Sequence, residues 1–370
     1  MAYFIGLISG TSVDSIDAVL VDISSVTTTS TRCLLVSSLS YPIPTDIQNA
    51  IHAISQSEYH GDAIDELGQL DQQIGELLGY AAIAVIEKAN LNKNDIVAIG
   101  SHGQTVRHHP YAKHPFTLQI GDANRISAMT GITTVADFRR KDVALGGQGA
   151  PLVPAFHQAL FGSIAQPRIV LNLGGIANIS VLQPNQPVVG YDTGPANTLM
   201  DRWIKKHQGE DFDRDGQWAR TGELMSSLLE SMLNDSYFSE PAPKSTGREY
   251  FNLEWLDLHL PEAYQANDVQ RTLLELTAHS VADAIDNHCE QGDILVCGGG
   301  AHNAFLMERL NKLIPNFTVQ STFEFGVDPD WVEAMAFAWL AQQSLAGLNG
   351  SLSSVTGAKR DAVLGAIYPP

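Results

Sequence analysis

The order of predicted elements repeats along the chain, and this repeat constrains the fold more than any other feature. In each half, two apolar segments flank a glycine-containing loop, and a third apolar segment and a helical pattern follow. The predicted strands cover residues 3–8, 16–23 and 33–39 in the first half and residues 168–173, 176–182 and 188–191 in the second. The repeat predicts two lobes of related topology that face one another.

Later elements complete the second lobe and mark its limits. We predict helices over residues 62–89, 269–289, 303–313 and 331–345, short strands over 96–99 and 293–297, and an irregular polar insertion over 211–261. The chain is therefore predicted to be an α/β protein of two domains. The N-terminal lobe takes residues 1–133 together with about 346–370, and the C-terminal lobe takes residues 134–345.

Composition restricts the class of partner and the compartment. The 370 residues carry a net charge of −19, which would repel nucleic acid and anionic membranes. The three cysteines lack disulfide-like or zinc-ligand spacing, so we expect reduced thiols and no metal site built from them. No segment approaches the ~20 apolar residues that cross a bilayer, and the first residues lack a signal-peptide pattern. We therefore expect a soluble cytoplasmic protein without a nucleic-acid or membrane partner.

Three glycine-containing loops, at residues 10–17, 172–178 and 297–303, are candidates for nucleotide binding. Glycine lets backbone N–H groups approach a phosphate closely, and a glycine loop between a strand and a helix suits a nucleotide. Taken alone, each loop is at least as well explained by an ordinary turn. The candidate nucleotide contacts are Gly10, Thr11, Ser12, Asp14, Ser15, Asp17, Asn172, Gly174, Gly175, Asn178, Gly298, Gly299, Gly300 and Asn303.

Asp192 is the candidate catalytic base. We predict it at the end of a strand, just before a helix that Pro195 opens, where the helix N-terminus favours the ionised carboxylate. A carboxylate held in this way can accept a proton from a nucleophile. The alternative is an N-cap aspartate whose side chain serves only the helix.

Two further charged residues are candidates for contacts in the active site. Arg139 lies in a basic cluster of an otherwise acidic chain and could bind a phosphate or a substrate carboxylate. The alternative for Arg139 is a solvated charged turn. Glu333 could accept a hydrogen bond from a sugar hydroxyl, or it could form a variant capping box with Asp330 at the start of the last helix.

Polar side chains at predicted strand ends supply candidate sugar contacts, because amide and carboxylate groups pair with hydroxyls. These candidates are His102, Gln104, Thr105, Gln119 and Asp122. His102 is equally well explained as a loop histidine with its own hydrogen bonds.

Together the motifs resemble the anhydro-N-acetylmuramic acid kinases, which belong to the actin/hexokinase/Hsp70 superfamily of sugar kinases. The matching motifs are residues 10–17, 101–105, 118–122, 136–139, 146–151, 172–178, 192–195, 297–300 and 333–337. Ser15 departs from the glycine common at that position in the family. The resemblance implies a two-lobed actin/hexokinase-like fold, a duplicated ribonuclease-H-like fold with an interlobe active-site cleft. It also implies that the first two glycine loops are phosphate-binding hairpins and that the third is an adenosine-binding loop.

The resemblance implies an unusual reaction that uses ATP and Mg²⁺. Such enzymes hydrolyse the 1,6-anhydro bond of anhydro-N-acetylmuramic acid and phosphorylate O6 in one active site, during recycling of cell-wall peptidoglycan. The resemblance would make Asp192 the base that activates water, and it would place Arg139 and Glu333 against the sugar. Members of the family are typically homodimers.

Two other functions stay open from the sequence. An ordinary sugar or acetate-type kinase of the same superfamily would phosphorylate a free hydroxyl or carboxylate, without opening an anhydro bond. A catalytically silent actin-like sensor or assembly protein is expected to lack Asp192 or one of the glycine loops, and all of them are present. A Rossmann oxidoreductase is disfavoured, because no GxGxxG motif opens a helix after the first strand.

Overall fold

The computed structural model describes residues 2–10, 12–27, 30–56 and 59–370. Thr11, a candidate phosphate contact, lies outside the described residues. The chain divides into two compact units: unit 1 is Met1–Leu160 with Trp331–Pro370, and unit 2 is Phe161–Asp330. This division assigns residues 134–160 and 331–345 to unit 1, whereas we predicted them in the C-terminal lobe.

The strands and helices of the described residues follow in chain order. The strands are β1 (Tyr3–Ser9), β2 (Ser15–Thr27), β3 (Ser30–Pro42), β4 (Ile96–Ser101), β5 (Gln104–His109), β6 (Phe116–Ile120), β7 (Thr134–Ala136), β8 (Arg168–Leu173), β9 (Ile176–Leu182), β10 (Val189–Pro195), β11 (Gly292–Cys297), β12 (Phe317–Ser321) and β13 (Ala366–Tyr368). The helices are α1 (Thr45–Ile54), α2 (Ala63–Lys88), α3 (Ala123–Thr130), α4 (Arg140–Ala144), α5 (Val153–Phe161), α6 (Asn197–Gln208), α7 (Gln217–Arg220), α8 (Ser226–Leu233), α9 (Ser236–Ser239), α10 (Leu253–Asp257), α11 (Ala266–Asp286), α12 (Ala304–Leu313), α13 (Val332–Leu345) and α14 (Ser353–Thr356).

The two units contain sheets of the same topology. The sheet of unit 1 has the order β13-β7-β4-β1-β2-β3, and that of unit 2 has the order β12-β11-β8-β9-β10. In each sheet the first three strands in chain order pair antiparallel. A later strand, β4 or β11, pairs in parallel with the first strand, and β7 or β12 pairs in parallel with that later strand. Unit 1 adds β13, which pairs antiparallel with β7. The predicted duplicated α/β fold of the actin/hexokinase type is therefore confirmed. Strands β5 and β6 form a separate hairpin in unit 1.

Helix α13 packs unusually close to the sheet of unit 1. Gly6 of β1 and Gly100 of β4 are neighbours across the sheet. A Cβ atom at either glycine would collide with a backbone carbonyl of α13, that of Ala334 or that of Phe337. This close approach explains why the segment that contains α13 belongs to unit 1. Because the helix is covered on most sides, its sequence is almost continuously apolar.

Helix α2 covers the other side of the same sheet. Its apolar positions Leu70, Ile74, Leu78 and Val85 recur at helical spacing and are buried. They join the core formed with the alternate β1 residues, such as Ile5. The helical periodicity predicted for residues 62–89 is thus correct, and Asp62 caps α2 by accepting hydrogen bonds from its first turn.

The structure corrects two predictions in unit 2. The segment 211–261 is not irregular, since it contains α7, α8, α9 and α10. Trp255 and Leu256 of this segment are buried in the core of unit 2, which holds the short helices in place. The helix predicted to open at Pro195 begins instead at Asn197, because Pro195 still pairs with Ile176 across the sheet. Among the described residues, no helix is long and apolar enough to cross a membrane.

Candidate active site

Asp192 lies within edge strand β10, three residues before the strand ends, and not at a helix N-cap. It pairs with Asn178 of β9, and the register shifts directly after it. A β-bulge of this kind turns the local backbone and re-aims a side chain. Gly194 follows with a φ of 151°, a value that favours glycine. The alternative of a purely structural N-cap aspartate is therefore wrong.

The surroundings of Asp192 raise its affinity for a proton. Burial, together with the nearby charge of Glu249, raises the pKa of the carboxyl to about 6. The backbone N–H of Thr246 donates to Oδ2 at 3.0 Å and opposes that shift. We predicted that a helix N-terminus would favour the ionised form. Burial dominates instead, because the strand continues beyond Asp192 and the helix starts later.

The second glycine loop is a tight hairpin that sits on the N-terminus of α6. The carbonyl of Gly175 accepts hydrogen bonds from the N–H groups of Ala196 and Thr198, at 3.0 and 3.1 Å. The carbonyl of Gly174 accepts from Asn197 at 3.0 Å. The hairpin thereby fixes its own position through the first turn of the helix.

Two of the predicted nucleotide contacts meet at the base of this hairpin. Asn172 of β8 and Asn178 of β9 are paired across the two strands. Because Asn178 also pairs with Asp192, the three polar side chains belong to adjacent positions of one sheet.

The third glycine loop packs directly against the second. Gly298 has a φ of 78°, and a Cβ atom there would collide with the side chain of Asn172. A Cβ atom at Gly300 would similarly meet Leu173. Gly298 therefore has both a conformational and a steric reason to be glycine. The structure thus brings together two of the three loops that the sequence predicted for nucleotide binding.

A cavity of about 530 Å³ opens beside these loops in unit 2. Its volume lies in the range of small-molecule sites. It is lined by Asn197, Met200, Asp201, Asp211, Phe212, Asp213, Arg214, Asp215, Gly299, His302 and Asn303. Only Gly299 and Asn303 were predicted as nucleotide contacts. The side chain of Asn303 also caps α12, since its Oδ1 accepts from the N–H of Leu306 at 3.1 Å.

Sequence reasoning missed the acidic wall of this cavity. Asp201 follows the first turn of α6, and the pKa of its carboxyl is raised to about 7. Burial is the main cause; the charge of Arg248 opposes it, and the charges of Asp213 and Asp211 add to it. No local pattern identifies this wall, because residues 211–215 reach α6 only through the fold.

The first glycine loop, in unit 1, is a short turn between β1 and β2. The N–H of Val13 donates to the carbonyl of Gly10 at 3.2 Å, and the Ser12 hydroxyl donates to Asp14. Ser15 already belongs to β2. Asp17, farther along that strand, accepts a hydrogen bond from the Ser40 hydroxyl at 2.8 Å.

Arg139 is held by a network of hydrogen bonds in unit 1, so the alternative of a solvated charged turn is wrong. Its Nε donates to Nε2 of His102 at 2.9 Å, and its Nη1 donates to the carbonyl of Gly149 at 2.8 Å. The pKa of the guanidinium is lowered to about 10, because the effect of burial exceeds the opposing effect of the Glu333 and Asp142 charges. The group stays positively charged at neutral pH.

His102 supports Arg139 and is neutral. Its side chain is only 8% exposed, and its Nδ1 donates to the carbonyl of Gly103 at 3.0 Å. Nε2 must then accept the hydrogen bond from Arg139, which fixes the tautomer. Burial and the charge of Arg139 hold the pKa of His102 well below its usual value. The ring also packs on Phe337 of α13 at a centroid distance of 4.7 Å.

Glu333 lies in the first turn of α13 and is exposed. The capping box with Asp330 does not form, because Trp331 occupies the N-cap position and its side chain makes no capping hydrogen bond. Asp330 instead pairs with His302 at 2.9 Å. Glu333 is thus near Arg139 electrostatically and is accessible from solvent.

The other candidate sugar contacts already have partners in unit 1. Gln104 is buried and accepts from the Ser9 hydroxyl at 2.6 Å, while Gln119 donates to Thr105 Oγ1 at 3.1 Å. Asp122 caps α3 by accepting from the N–H of Asn124 at 2.9 Å. These bonds fix the side chains in place.

The described residues contain no group of three or more His, Cys, Asp or Glu side chains that could hold a metal ion. Asn172 and Asn178, which are paired across β8 and β9, supply amide groups of the kind that can hydrogen-bond the waters that Mg²⁺ commonly keeps.

The sequence matches the family model described as anhydro-N-acetylmuramic acid kinase over residues 2–370. The chain belongs to the anhydro-N-acetylmuramic acid kinase family. It is 50% identical over 372 residues to the curated anhydro-N-acetylmuramic acid kinase of Aliivibrio fischeri, with 100% of both chains covered. As a member of the anhydro-N-acetylmuramic acid kinase family, the chain is an ATP-using phosphotransferase.

Solved structures with lower similarity include two nucleotide-bound proteins. One is the activator of the 2-hydroxyisocaproyl-CoA dehydratase from Clostridium difficile with bound ADPNP, at a TM-score of 0.44 and 13% identity, covering 93% of this chain and 97% of that one. The other is a ROK family glucokinase from Streptomyces griseus in complex with glucose and AMPPNP, at a TM-score of 0.39 and 12% identity, covering 92% and 100%.

Proposed function

We propose that this kinase opens the 1,6-anhydro bond of anhydro-N-acetylmuramic acid with water and transfers the γ-phosphate of ATP to O6. The products are N-acetylmuramic acid 6-phosphate and ADP. The observation that carries the proposal is Asp192, a partly exposed carboxylate with a pKa of about 6 on the strand beside the second glycine hairpin. The full-length similarity to a curated enzyme of this name supports the choice of substrate.

Asp192 acts as the general base in this proposal. A carboxylate with a pKa near 6 is mostly ionised at neutral pH yet basic enough to take a proton from water. The water oxygen bonds to C1 of the sugar while the C1–O6 bond breaks. O6 then bonds to the γ-phosphorus as the bond to the β-phosphate oxygen of ADP breaks. The proton lost by the water is carried by Asp192 and leaves to solvent.

ATP binds to unit 2 with its adenosine in the cavity of about 530 Å³. The glycines of the second and third loops let the phosphates approach the backbone. In the first glycine loop, Gly10, Ser12 and Asp14 are the candidate phosphate contacts among the described residues. Mg²⁺ neutralises developing phosphate charge when it is bound, and Asn172 and Asn178 would hold its waters.

Arg139 and Glu333 are the charged residues that bind the sugar in this proposal. Two donors of the Arg139 guanidinium are engaged with His102 and Gly149, so the remaining N–H groups have a fixed direction toward a substrate carboxylate. Glu333, on the surface of the same unit, accepts from a hydroxyl. The remaining candidate sugar contacts are Gln104, Thr105, Gln119 and Asp122.

We further propose that the protein is a cytoplasmic homodimer that serves peptidoglycan recycling.

The test is one reaction of the purified protein with Mg-ATP and anhydro-N-acetylmuramic acid in ¹⁸O-labelled water, read by mass spectrometry. We expect a phosphorylated sugar that carries the label at C1, since the attacking oxygen comes from water. A phosphorylated product with no label and an intact anhydro ring would show an ordinary sugar kinase. Absence of any sugar phosphate would contradict the proposal, and other acceptors would then be compared.

A further inference from the structure

Arg248 lies against the second glycine hairpin, and it belongs to none of the motifs that the sequence singled out. A Cβ atom at Gly175 would lie 3.4 Å from Nε and 3.6 Å from Nη2 of Arg248. The guanidinium therefore packs on the turn of the hairpin. The Nε atom is shielded from solvent, and the side chain as a whole is only partly exposed.

The same guanidinium also acts on the wall of the cavity. Its charge lowers the pKa of Asp201, which lines the cavity. Arg248 is thus close both to a wall of the cavity and to the glycine turn. A nucleotide whose adenosine fills the cavity and whose phosphates reach the hairpin must pass this side chain.

The charge balance of the cavity favours a cation beside an anionic ligand. Four aspartates, Asp201, Asp211, Asp213 and Asp215, line the cavity, with Arg214 among them. The whole chain carries a net charge of −19. These carboxylates repel a triphosphate, and a guanidinium is well suited to offset the repulsion, because its planar donors bind phosphate oxygens in pairs.

The segment that carries Arg248 also holds the candidate base. Thr246 donates its N–H to Asp192, and the carbonyl of Lys244 accepts the N–H of Asp192 at 3.3 Å. Residues 244–249 therefore fix the position of Arg248 relative to the carboxylate that activates water.

We propose that Arg248 binds the β- and γ-phosphates of the nucleotide at the second hairpin. This inference rests on the proposed function in that the cavity takes the adenosine of ATP. It assigns to the chain a substrate-binding residue outside the three glycine loops. The competing role is structural: Arg248 could serve only to neutralise Asp201 and shape the cavity.

The test compares ligands that differ in their phosphates. Calorimetric dissociation constants are measured for adenosine, ADP and AMPPNP with Mg²⁺, on the full chain as wild type, Arg248→Met and Arg248→Lys. We expect Arg248→Met to raise the dissociation constants of AMPPNP and ADP by roughly 10- to 100-fold, the range for hydrogen bonds to charged groups. The dissociation constant of adenosine should change by less than about twofold. Arg248→Lys, which keeps the charge and loses the paired donors, should fall between the two.

Arg202→Met is the matched control, because Arg202 is an exposed residue of α6 and the substitution removes the same charge. It should leave all three constants unchanged. An equal loss for adenosine and AMPPNP in Arg248→Met would overturn the proposal in favour of the structural role, and so would unchanged AMPPNP binding. If Arg248→Met does not fold, the same comparison is made with Arg248→Lys. Wild-type protein that binds no nucleotide would contradict the proposed function itself, before any variant is compared.

Discussion

Asp192 must be ionised to accept a proton, so its raised pKa sets the acid side of the pH profile. With a pKa of about 6, we expect kcat/KM to fall about tenfold for each pH unit below 6 and to level off above about 7. The measurement is a pH series with saturating Mg-ATP. An acid limb near pH 4, the ordinary range of an exposed aspartate, would contradict the role of burial.

The variant Asp192→Asn removes the proposed base and keeps a side chain of nearly the same size. We expect loss of turnover by at least about 100-fold, with AMPPNP binding retained, because general bases commonly contribute 10²- to 10⁴-fold. Near-normal turnover would remove Asp192 from the base role.

The same variant should also be at least as stable as wild type at neutral pH. A carboxyl whose pKa is raised on folding makes the folded state lose stability as pH rises from about 4 to about 6. The asparagine avoids that loss, which we put at about 1 kcal/mol after allowing for partial exposure. Thermal unfolding at pH 4 and pH 7.5 measures the difference, and it should vanish at pH 4.

His102 has a positioning role that a substitution can separate from packing. His102→Phe keeps a ring against Phe337 but leaves the Nε of Arg139 without its acceptor. We expect the KM of the sugar to rise by about tenfold, with the KM of ATP unchanged. His109→Phe, at an exposed position of β5, is the control. Equal increases in both KM values would indicate general unfolding and not a loss of sugar positioning.

For individual residues, the sequence identified the candidates but not their pKa values or tautomers. Motif positions sufficed to select Asp192, Arg139 and His102. The pKa of Asp192 depends on Thr246 and Glu249, and the tautomer of His102 depends on Arg139, all far away in sequence. Asp201 and Arg248 belong to no local pattern, and their proximity exists only in the folded unit.

Among the elements, the contact between α13 and the sheet is the least tolerant of added volume. Gly6→Ala would force a methyl group into the carbonyl of Ala334, and we expect a loss of roughly 1–3 kcal/mol or more of unfolding free energy. Gly68→Ala in α2 is the matched control, because no atom lies within 4 Å of its Cβ position. That control should be neutral or stabilising, since alanine favours a helix. Denaturant unfolding of both variants gives the comparison.

The boundaries of β10 and α6 show where local rules are insufficient. Proline is common at the first position of a helix, so Pro195 predicted a helix start. In the structure Pro195 extends an edge strand, where a missing N–H costs little. A proline that starts a helix and a proline that ends an edge strand have the same local sequence signal. Only the pairing of Pro195 with Ile176 distinguishes the two positions here.

For the whole molecule, the repeated element order was sufficient to predict the duplicated fold. Strand order and direction agree between the two sheets for five strands, with β13 as an addition in unit 1, although the halves share little sequence. Apolar periodicity defines each strand and helix, and the short connections leave few possible topologies. The extent of each unit was harder to predict, because it depends on long-range packing of α13 and on the Asp142 carboxylate, which binds Thr356.

The chain enters unit 1, leaves it for all of unit 2, and returns with α13 and β13. A ribosome therefore releases the continuous segment Phe161–Asp330 before the residues that cover Gly6 and Gly100 have been synthesised. During translation one apolar face of the unit 1 sheet stays uncovered until α13 has been synthesised, whereas unit 2 can already fold. The exposed sheet of unit 1 is thus the part of the nascent protein where we expect a risk of aggregation until α13 has been synthesised.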